Sequence, residues 1–504
     1  MSTPPTSIST LGDLKRSGYR IRGVKDEMRE NLVKALQEGT NLFKGIIGFD
    51  DTVLPQLQNA ILGRHDIILL GLRGQAKSRL IRLLPQLLDE YIPVLKGSET
   101  NDDPFAPISR YGRDLVADAG DDAPVAWLHR SERYAEKLAT PDTTMADLIG
   151  DIDPIKAATA RLSYADERVI HFGIIPRSNR GIFAINELPD LQPRIQVGLL
   201  NVMEEQDVQI RGFNVRFPLD VMLIFSANPE DYTNRGSIIT PLKDRIDSQI
   251  ITHYPRTLDT GIQITQQEAW EERGPEAPRV RVPYFFRQIV EQIAREARQS
   301  EYVDQRSGVS VRMTRAAMED LVSSAERRAL LNGELDTTSR LIDLLDVEPA
   351  ITGKVELVYE GEQEGAQNVA RLLTVRAVKT VFSMYFPDPT DKKAGRDKYR
   401  AVIDWFASGQ NVAIERDWPF DKYSAALDAV PGLGAIVAEH TTPSDPYEKA
   451  TMMEFVLEAL YGHSLIGKDL SDSVSRYSDM VGSMLSSFDV DDDEFDDDDF
   501  QGLN

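Results

Sequence analysis

The stretch that decides the fold is residues 67–78, IILLGLRGQAKS. Its first four residues form an apolar run of strand length, and apolar residues at helical spacing follow the turn at positions 80–84. The turn fits the phosphate-binding loop G-x-x-x-x-G-K-[ST], except that Ala76 stands where the last glycine is expected. We therefore predict a buried strand, a phosphate-binding turn and a helix in succession; a chance strand-to-helix turn is the alternative if the motif is taken alone.

Each part of this turn has a physical role in holding a nucleotide. Backbone N–H groups and the positive end of the helix surround phosphate oxygens, Lys77 reaches the β and γ phosphates, and Ser78 ligates Mg²⁺. Alanine is tolerated at the start of the helix if its φ is negative, so Ala76 is compatible with binding of ATP and Mg²⁺. The nucleotide-binding residues that we expect are Gly71, Gly74, Gln75, Ala76, Lys77 and Ser78, together with Gly48 between two predicted helices upstream.

Two further apolar runs, residues 182–185 and 221–225, predict buried strands that each end in polar residues. Such strands with helices between them predict a parallel α/β sheet, and the carboxyl ends of the strands meet in one crevice. At those ends we expect Glu187 to position the attacking water, Asn228 to orient it and Asn186 to hold Mg²⁺. The equally weighted alternative for Glu187 is a charged residue that happens to follow a strand.

Asn186 stands where P-loop ATPases carry an aspartate. Its amide keeps an oxygen acceptor for Mg²⁺ but gives up the negative charge, which weakens the attraction for the metal. Slow hydrolysis is one expectation. A second is that Asn186→Asp keeps or raises the ATPase rate, because it adds a charge beside Mg²⁺.

An arginine follows the third strand after one predicted helix. Arg245 is a candidate arginine finger, which stabilises the γ-phosphate bound by a neighbouring subunit. A surface salt bridge with Asp244 or Asp247 is the alternative for the same side chain.

A second arginine lies in the helical region that comes next. Arg315 directly follows Thr314, which is the predicted N-cap of a helix. We expect Arg315 to clamp the nucleotide from that side. Arg312 is close enough in sequence to be a rival for the same role.

Composition excludes several classes of function. The 504 residues contain 81 acidic and 57 basic side chains, and the formal net charge of -24 disfavours binding to nucleic acid or anionic lipid. Cysteine is absent, which excludes disulfides, thiolate metal sites and cysteine nucleophiles and favours a cytoplasmic location. The apolar runs are far shorter than the roughly 18 residues that a membrane span needs. The six histidines form no H-E-x-x-H pattern, so a zinc hydrolase is disfavoured.

Composition and periodicity divide the chain into five predicted regions. These are a flexible lead-in at 1–26, an α/β core with inserted hairpins at 27–255, a helical lid at 256–346, a mostly helical region without an assigned role at 347–488, and a disordered acidic tail at 489–504. The density of acidic residues in the tail favours either solubility through self-repulsion or electrostatic docking to a partner.

The motifs GLRGQAKS, RGIFAINELPDL, SANPEDY and LKDR together resemble the AAA+ ATPases, in particular the clade of the magnesium chelatase I subunit and the MoxR-type ATPases. The resemblance spans roughly residues 41–330. The β-like patterns of residues 161–173 and 208–217 by themselves predict hairpins inserted in the core. The resemblance implies that the first stretch is an insert in the second helix and that the second is a hairpin before sensor 1. It also implies a homo-oligomeric ring, a hexamer, in which ATP at subunit interfaces drives remodelling of a protein client or metal insertion by a chelatase-like or von Willebrand A-type partner.

The function predicted from the sequence is thus Mg²⁺-dependent ATP hydrolysis by a ring that acts on a partner. A slow ATP-gated scaffold with impaired hydrolysis is the alternative. A transcriptional activator or helicase of related fold is disfavoured by the net charge and by the absence of the GAFTGA loop of sigma-54 activators.

Overall fold

The computed structural model describes residues 7–161, 166–210, 216–229, 237–391, 396–470 and 474–480. It divides the chain into two compact units, Met1–Tyr254 and Pro255–Asn504. The predicted boundary between core and lid, after residue 255, lies one residue from this division. The acidic tail predicted for residues 489–504 lies outside the described residues.

The first unit alternates strands and helices. Its strands are β1 (Ile67–Leu70), β2 (Tyr91–Leu95), β3 (Val125–His129), β4 (Tyr134–Leu138), β5 (Gly150–Ile152), β6 (Ile170–Phe172), β7 (Gly181–Asn186), β8 (Asp207–Gln209), β9 (Arg216–Pro218), β10 (Val221–Ala227) and β11 (Ser248–Ile251). Its helices are α1 (Leu11–Arg16), α2 (Val24–Glu38), α3 (Val53–Leu62), α4 (Lys77–Leu83), α5 (Arg110–Ala119), α6 (Met145–Leu148), α7 (Pro154–Ala160), α8 (Ile174–Arg177), α9 (Pro193–Glu204) and α10 (Thr240–Arg245). Short 3₁₀ helices lie at Leu84–Leu87, Gly120–Asp122, Arg130–Arg133, Glu167–Val169 and Leu188–Asp190.

A five-stranded parallel sheet in the order β11-β1-β10-β7-β4 forms the centre of this unit. Side chains alternate between its two faces, so that Ile68 and Phe183 belong to one hydrophobic cluster while Ile67 and Ile182 belong to the other. Both faces are covered, which explains why β1, β7 and β10 are continuous apolar runs. The predicted parallel α/β sheet is confirmed.

The two predicted inserts differ in outcome. The hairpin at 208–217 is confirmed, since β8 and β9 pair antiparallel with Val208 opposite Phe217. The described residues of 161–173 do not form the expected hairpin, because β6 pairs with β5, which precedes α7. Asp153 caps that intervening helix by accepting hydrogen bonds from the backbone N–H groups at its start, so the chain becomes helical between the two strands. Residues 162–165 of this stretch lie outside the described residues.

Residues 8–16, expected to belong to a flexible lead-in, are packed against the first unit. Leu11 and Leu14 are buried, and the backbone N–H of Leu11 donates to Ala123 O at 2.9 Å. The indole of Trp127 donates to Ile8 O at 3.0 Å. The lead-in is therefore ordered over these residues, since burial of two leucines and hydrogen bonds to distant residues hold it.

The second unit is mostly helical. Its helices are α11 (Leu258–Glu268), α12 (Tyr284–Ala297), α13 (Val311–Asn332), α14 (Glu348–Thr352), α15 (Tyr359–Glu364), α16 (Ala366–Tyr385), α17 (Arg396–Ala407), α18 (Phe420–Asp428), α19 (Leu433–His440) and α20 (Pro446–Gly462), with a 3₁₀ helix at Leu341–Val347. Its strands are β12 (Arg279–Arg281), β13 (Asp336–Thr338), β14 (Val412–Glu415), β15 (Gly467–Leu470) and β16 (Val474–Ser478).

One hydrophobic core joins the predicted lid to the region that follows it. Phe285 of α12 stacks on Phe455 of α20 with ring centroids 4.6 Å apart, and Phe382 of α16 meets the same ring edge-on at 5.5 Å. The same core extends from Phe285 to Tyr477. The predicted boundary between residues 346 and 347 therefore does not separate two cores, because helices distant in sequence share their apolar faces.

Among the described residues, no helix has both the length and the apolar character required to cross a bilayer.

Candidate functional site

The phosphate-binding turn lies between the end of β1 and the start of α4, as predicted. The Thr252 hydroxyl, just past β11, lies 2.8 Å from Gln75 Oε1 and 3.2 Å from Leu70 O. A Cβ at Gly71 would lie 1.8 Å from that hydroxyl, so only glycine fits there. The Tyr254 hydroxyl donates to Arg73 O at 3.0 Å. The chain that leaves β11 therefore holds the turn in shape.

Ala76 does not have the negative φ that we expected. Its φ is 56° and its ψ is 13°, which is the left-handed region. A side chain with a Cβ costs roughly 1–2 kcal/mol in that conformation. The expectation is wrong because the chain turns into α4 through a left-handed residue, which is the role that glycine has in the usual motif. Alanine, with the smallest Cβ-bearing side chain, occupies the position under strain.

Lys77 and Asn228 are brought together at the carboxyl end of the sheet. Lys77 is 7% exposed, and its ammonium donates to Gly71 O, to Leu72 O at 3.1 Å and to Asn228 Oδ1 at 2.8 Å. Asn228 directly follows β10, the strand next to β1. The ammonium thus lies on the inner side of the turn, where a phosphate cradled by the turn meets a positive charge.

Asn186 and Glu187 stand at the end of β7, the strand on the other side of β10. Asn186 Oδ1 accepts a hydrogen bond from Ser226 at 3.0 Å, and the backbone N–H of Glu187 donates to Ser226 Oγ at 3.4 Å. Glu187 adopts a left-handed conformation with φ 55° and ψ 50°. Such strain in a residue other than glycine clusters at functional sites, and the conformation turns the backbone sharply at Glu187.

Glu136, which the sequence analysis missed, completes this end of the sheet. It lies on β4, and its carboxylate accepts hydrogen bonds from Asn186 Nδ2 at 2.5 Å, from Tyr134 at 2.9 Å and from Arg82 Nε and Nη2 at 2.9 and 3.0 Å. The hydrogen bonds from Arg82 are the main cause that lowers the pKa of Glu136, so the group is ionised at neutral pH.

The missed residue lies on an edge strand. Residues 134–138, YAEKL, mix charged and apolar side chains and give no buried apolar run. An edge strand needs no such run, because one of its sides has no neighbouring strand. The available signal was that Glu136 stands two positions before the end of this mixed stretch.

The fit of Mg²⁺ to this site can be judged from the oxygen atoms present. Ser78 is exposed in the first turn of α4, and Asn186 contributes an amide oxygen. Mg²⁺ prefers oxygen ligands and keeps several waters and phosphate oxygens when it is bound through few protein groups. A hydroxyl and an amide oxygen fit that pattern.

Gly48 belongs to the loop between α2 and α3, with a φ of 81°. This loop is tied to the residues after β11, since Phe49 packs edge-on against His253 at 5.0 Å and the Thr52 hydroxyl lies 2.8 Å from His253 Nε2. The segment that holds the phosphate-binding turn thus also holds this loop. Contact between Gly48 and a nucleotide stays a prediction.

Arg245 ends α10 and pairs with a carboxylate that the sequence analysis did not consider. Its guanidinium lies 2.6 Å from Glu204 Oε2 at the end of α9 and donates to Pro241 O at 2.9 Å. Asp247, one of the two predicted alternatives, instead accepts from the backbone N–H of Asp66 at 2.9 Å. The role of Arg245 across a subunit interface stays a prediction.

Arg315 belongs to the second unit, and the predicted N-cap before it is wrong. The cap of α13 is Ser310, whose hydroxyl accepts from the backbone N–H of Arg312 at 3.1 Å. Thr314 is buried one turn further on, with its hydroxyl 2.8 Å from that of Thr265. Arg315 is exposed and pairs with Glu319 on the next turn of the same helix at 3.0 Å. Its role as a nucleotide clamp stays a prediction, as does that of Arg312.

Part of the first unit is similar in sequence to a known domain. Residues 159–251 match the sigma-54 interaction domain. This is an AAA+ domain, so the match, together with the parallel sheet and its phosphate-binding turn, confirms the predicted α/β AAA+ fold class. The finer assignment to the chelatase and MoxR-type clade is not part of that finding. The match is to the domain type of sigma-54 activators, the class that charge and the missing GAFTGA loop disfavour.

Solved structures similar to this chain include NtrX from Brucella abortus in complex with ATP, with 14% identity over 56% of this chain and 51% of that one and a TM-score of 0.34. A complex of the magnesium chelatase subunits BchI and BchD has 20% identity over 64% of this chain and 98% of that one, with a TM-score of 0.33. A structure from Cytophaga hutchinsonii, named as a candidate ATPase, has 15% identity over 72% of this chain and 97% of that one, with a TM-score of 0.30. The chain spans about half the length of the NtrX chains that it matches. No residue role is carried over from these structures.

Proposed function

We propose that this protein is a Mg²⁺-dependent AAA+ ATPase that assembles into a ring and uses ATP at subunit interfaces to remodel a partner protein or to drive metal insertion by one. The observation that carries the proposal is the convergence of Lys77, Asn186, Glu187 and Asn228 at the carboxyl ends of neighbouring strands, beside the phosphate-binding turn. The N–H groups of the turn and the Lys77 ammonium bind phosphate oxygens.

Each residue has a proposed part in the chemistry. Glu187 takes a proton from the attacking water, whose oxygen bonds to the γ-phosphorus while the bond to the bridging oxygen of ADP breaks. Asn228 orients that water. Ser78 and Asn186 hold Mg²⁺, which neutralises phosphate charge when it is bound. Arg245 stabilises the charge on the phosphoryl group from the neighbouring subunit.

A slow ATP-gated switch is the second candidate function, and the neutral amide at Asn186 is the observation that favours it. Steady-state turnover of the full chain with Mg²⁺ and ATP separates the two candidates. A motor of this class turns over faster than about 0.1 s⁻¹, whereas a switch without a stimulating partner lies near about 10⁻² s⁻¹ or below.

The partner can be identified by trapping its complex with the ATP-bound protein. Glu187→Gln should hold ATP without hydrolysing it, so affinity purification of this variant should retain the nucleotide-bound assembly and its partner. Lys77→Ala is the matched control, because it should not hold ATP and should release the same partner. A von Willebrand A-type or chelatase-like protein in the first sample alone supports the proposed clade, whereas a sigma-54 factor supports an activator.

A further inference from the structure

The amide of Asn186 has a hydrogen-bonding partner for each of its two polar atoms. Nδ2 donates to Glu136 Oε1 at 2.5 Å on the neighbouring strand β4, and Oδ1 accepts from the Ser226 hydroxyl at 3.0 Å on β10. The side chain is therefore held between two strands in one orientation. Asn186 is 8% exposed, so these contacts are sheltered from water.

The contact with Glu136 explains why an amide suits this position. A carboxylate accepts hydrogen bonds and cannot donate one when it is ionised, so Glu136 requires a donor opposite it. Asparagine supplies that donor. Aspartate would place a second carboxylate about 2.5 Å from the first, and two like charges at that distance repel each other strongly.

Glu136 is also joined to the helix that follows the phosphate-binding turn. Arg82, which donates two hydrogen bonds to Glu136, lies on α4 four residues after Ser78, and residues spaced by four lie on the same face of a helix. The arginine that holds the Glu136 carboxylate thus lies one helical turn from Ser78, the predicted Mg²⁺ ligand. The Arg82 side chain is 64% exposed, so water screens its charge more than that of Glu136, which is 20% exposed.

We propose that Glu136 is a positioning residue of the nucleotide site, which supplies from β4 the negative charge that position 186 lacks and holds the Asn186 amide in place. This inference rests on the proposed function. It reverses the expectation that Asn186→Asp keeps or raises the ATPase rate. Repulsion between the added carboxylate and Glu136 should outweigh any gain in attraction for Mg²⁺. Glu136 and Asn186 form one pair of a carboxylate and an amide, and the negative charge can be carried by residue 136 on β4 or by residue 186 on β7.

Four proteins test the pair: the wild type, Glu136→Gln, Asn186→Asp and the double variant with both changes, in which the charge is moved from residue 136 to residue 186. For each, we would measure the affinity for the fluorescent analogue mant-ATP in Mg²⁺ and in EDTA, the ATPase rate and the melting temperature. Glu132→Gln is the matched control, because Glu132 is an exposed carboxylate four residues away.

We expect each single variant to lower the ratio of the two affinities, Mg²⁺ over EDTA, by about tenfold, because one removes a charge near Mg²⁺ and the other breaks the pair. The double variant should return the ratio and the ATPase rate to within about threefold of the wild type. Affinity in EDTA should be equal in all five proteins. A residue that only supports the fold would lower the melting temperature without changing this ratio.

Three results would overturn the inference. In the first, the double variant has an affinity ratio and an ATPase rate no higher than those of the worse single variant. In the second, Asn186→Asp has the ATPase rate and the affinity ratio of the wild type. In the third, all proteins bind mant-ATP with the same affinity ratio. Failure of the wild type to bind mant-ATP is a different result, since it contradicts the proposed function itself.

Discussion

Each of the two units holds a cluster of hydrogen-bonded polar and charged side chains, and the clusters differ in their access to water. The Asn186 cluster of the first unit consists of Asn186, Ser226, Glu136, Tyr134 and Arg82, and its arginine is mostly exposed. The Arg328 cluster of the second unit consists of Arg328, Arg340, Asp343, Tyr423 and Glu454, and each of these residues is buried. The first cluster is therefore open to water through Arg82, whereas the second is enclosed.

The contacts of the Arg328 cluster are those of an internal support. Asp343 accepts two hydrogen bonds from the Arg328 guanidinium, at 2.6 and 2.9 Å, and one from the backbone N–H of Arg340 at 2.7 Å. The Arg340 guanidinium lies 4.2 Å from the Tyr423 ring centre, and the Tyr423 hydroxyl donates to Glu454 at 2.8 Å. A charge that is buried in this way is costly to leave without its partner. The cluster therefore fixes how its helices pack.

The difference between the two clusters shows that charge alone does not identify a functional site in this protein. Both clusters contain an arginine paired with a carboxylate by two hydrogen bonds, yet only the one at the carboxyl ends of parallel strands borders a phosphate-binding turn. We therefore expect changes in the Asn186 cluster and at the other proposed catalytic residues to alter ATP chemistry with little effect on stability, and changes in the Arg328 cluster to do the opposite.

The largest effect should come from Arg245, whose pair with Glu204 is partly exposed. An arginine finger contributes about a thousandfold or more to turnover, so Arg245→Ala should abolish most ATPase activity in the assembled ring without lowering the melting temperature. Mixing Arg245→Ala with Glu187→Gln subunits should recover partial activity, because some interfaces then join an intact arginine to an intact glutamate. Absence of recovery in confirmed mixed assemblies would place Arg245 outside the neighbouring site.

Asp343→Ala should have the largest effect on stability. It leaves the Arg328 charge without its carboxylate in the interior, which costs about 3–5 kcal/mol. The melting temperature of the second unit should fall by about 6–20 °C. The control is Asp417→Ala, which removes the exposed Arg327–Asp417 pair and should cost about 1 kcal/mol or less. Similar losses of stability in the two variants would contradict the expected difference between a buried and an exposed ion pair.

Glu291, another buried carboxyl group of the same unit, should make stability depend on pH. Burial raises its pKa to about 7, although Arg298 and Arg295 act in the opposite direction. A carboxyl whose pKa is raised on folding contributes stability that is present below the unfolded pKa and is lost as the pH rises towards 7. Between pH 5 and 8, Glu291→Gln should therefore lose less stability than the wild type, by about 1–3 kcal/mol. Thermal unfolding at the two pH values checks this, with Glu296→Gln on the same helix as the control, which should behave as the wild type does.

The smallest effect should be found in the phosphate-binding turn. Ala76→Gly relieves a left-handed alanine and should stabilise the first unit by about 0.5–1 kcal/mol, without weakening ATP binding. Ala158→Gly, at an exposed position of α7, should destabilise by a similar amount, because glycine is a poor helix former. The same sign for both changes in thermal unfolding would show that the strain at Ala76 is not released.

The parts of the fold that could be predicted are those with a strong local pattern. Strands β1, β7 and β10 are buried on both faces and stand out as apolar runs, and the turn after β1 carries its own motif. The edge strands β4 and β11 carry mixed residues, so Glu136 and Thr252 could not be placed near the site. Their roles depend on which strands are neighbours, and spacing along the chain does not show that.

Two of the errors have the same physical origin. Ser310 and Thr314 are both able to cap a helix, and only the burial of Thr314 against Thr265 decides between them. The boundary at residue 346 was placed by pattern, whereas Phe285, Phe382 and Phe455 show one core on both sides of it. Contacts between residues distant in sequence decided each case.

The proposed function requires Lys77 to bind the nucleotide and Glu187 to act only on the water that attacks it. The most direct measurement is of mant-ATP affinity and steady-state turnover in Lys77→Ala and Glu187→Gln, side by side with the wild type. We expect Lys77→Ala to lose binding, and Glu187→Gln to keep its affinity within about threefold while turnover falls by about two to four orders of magnitude, the scale of a lost general base. Equal loss of binding in the two variants, or unchanged turnover in Glu187→Gln, would contradict the account.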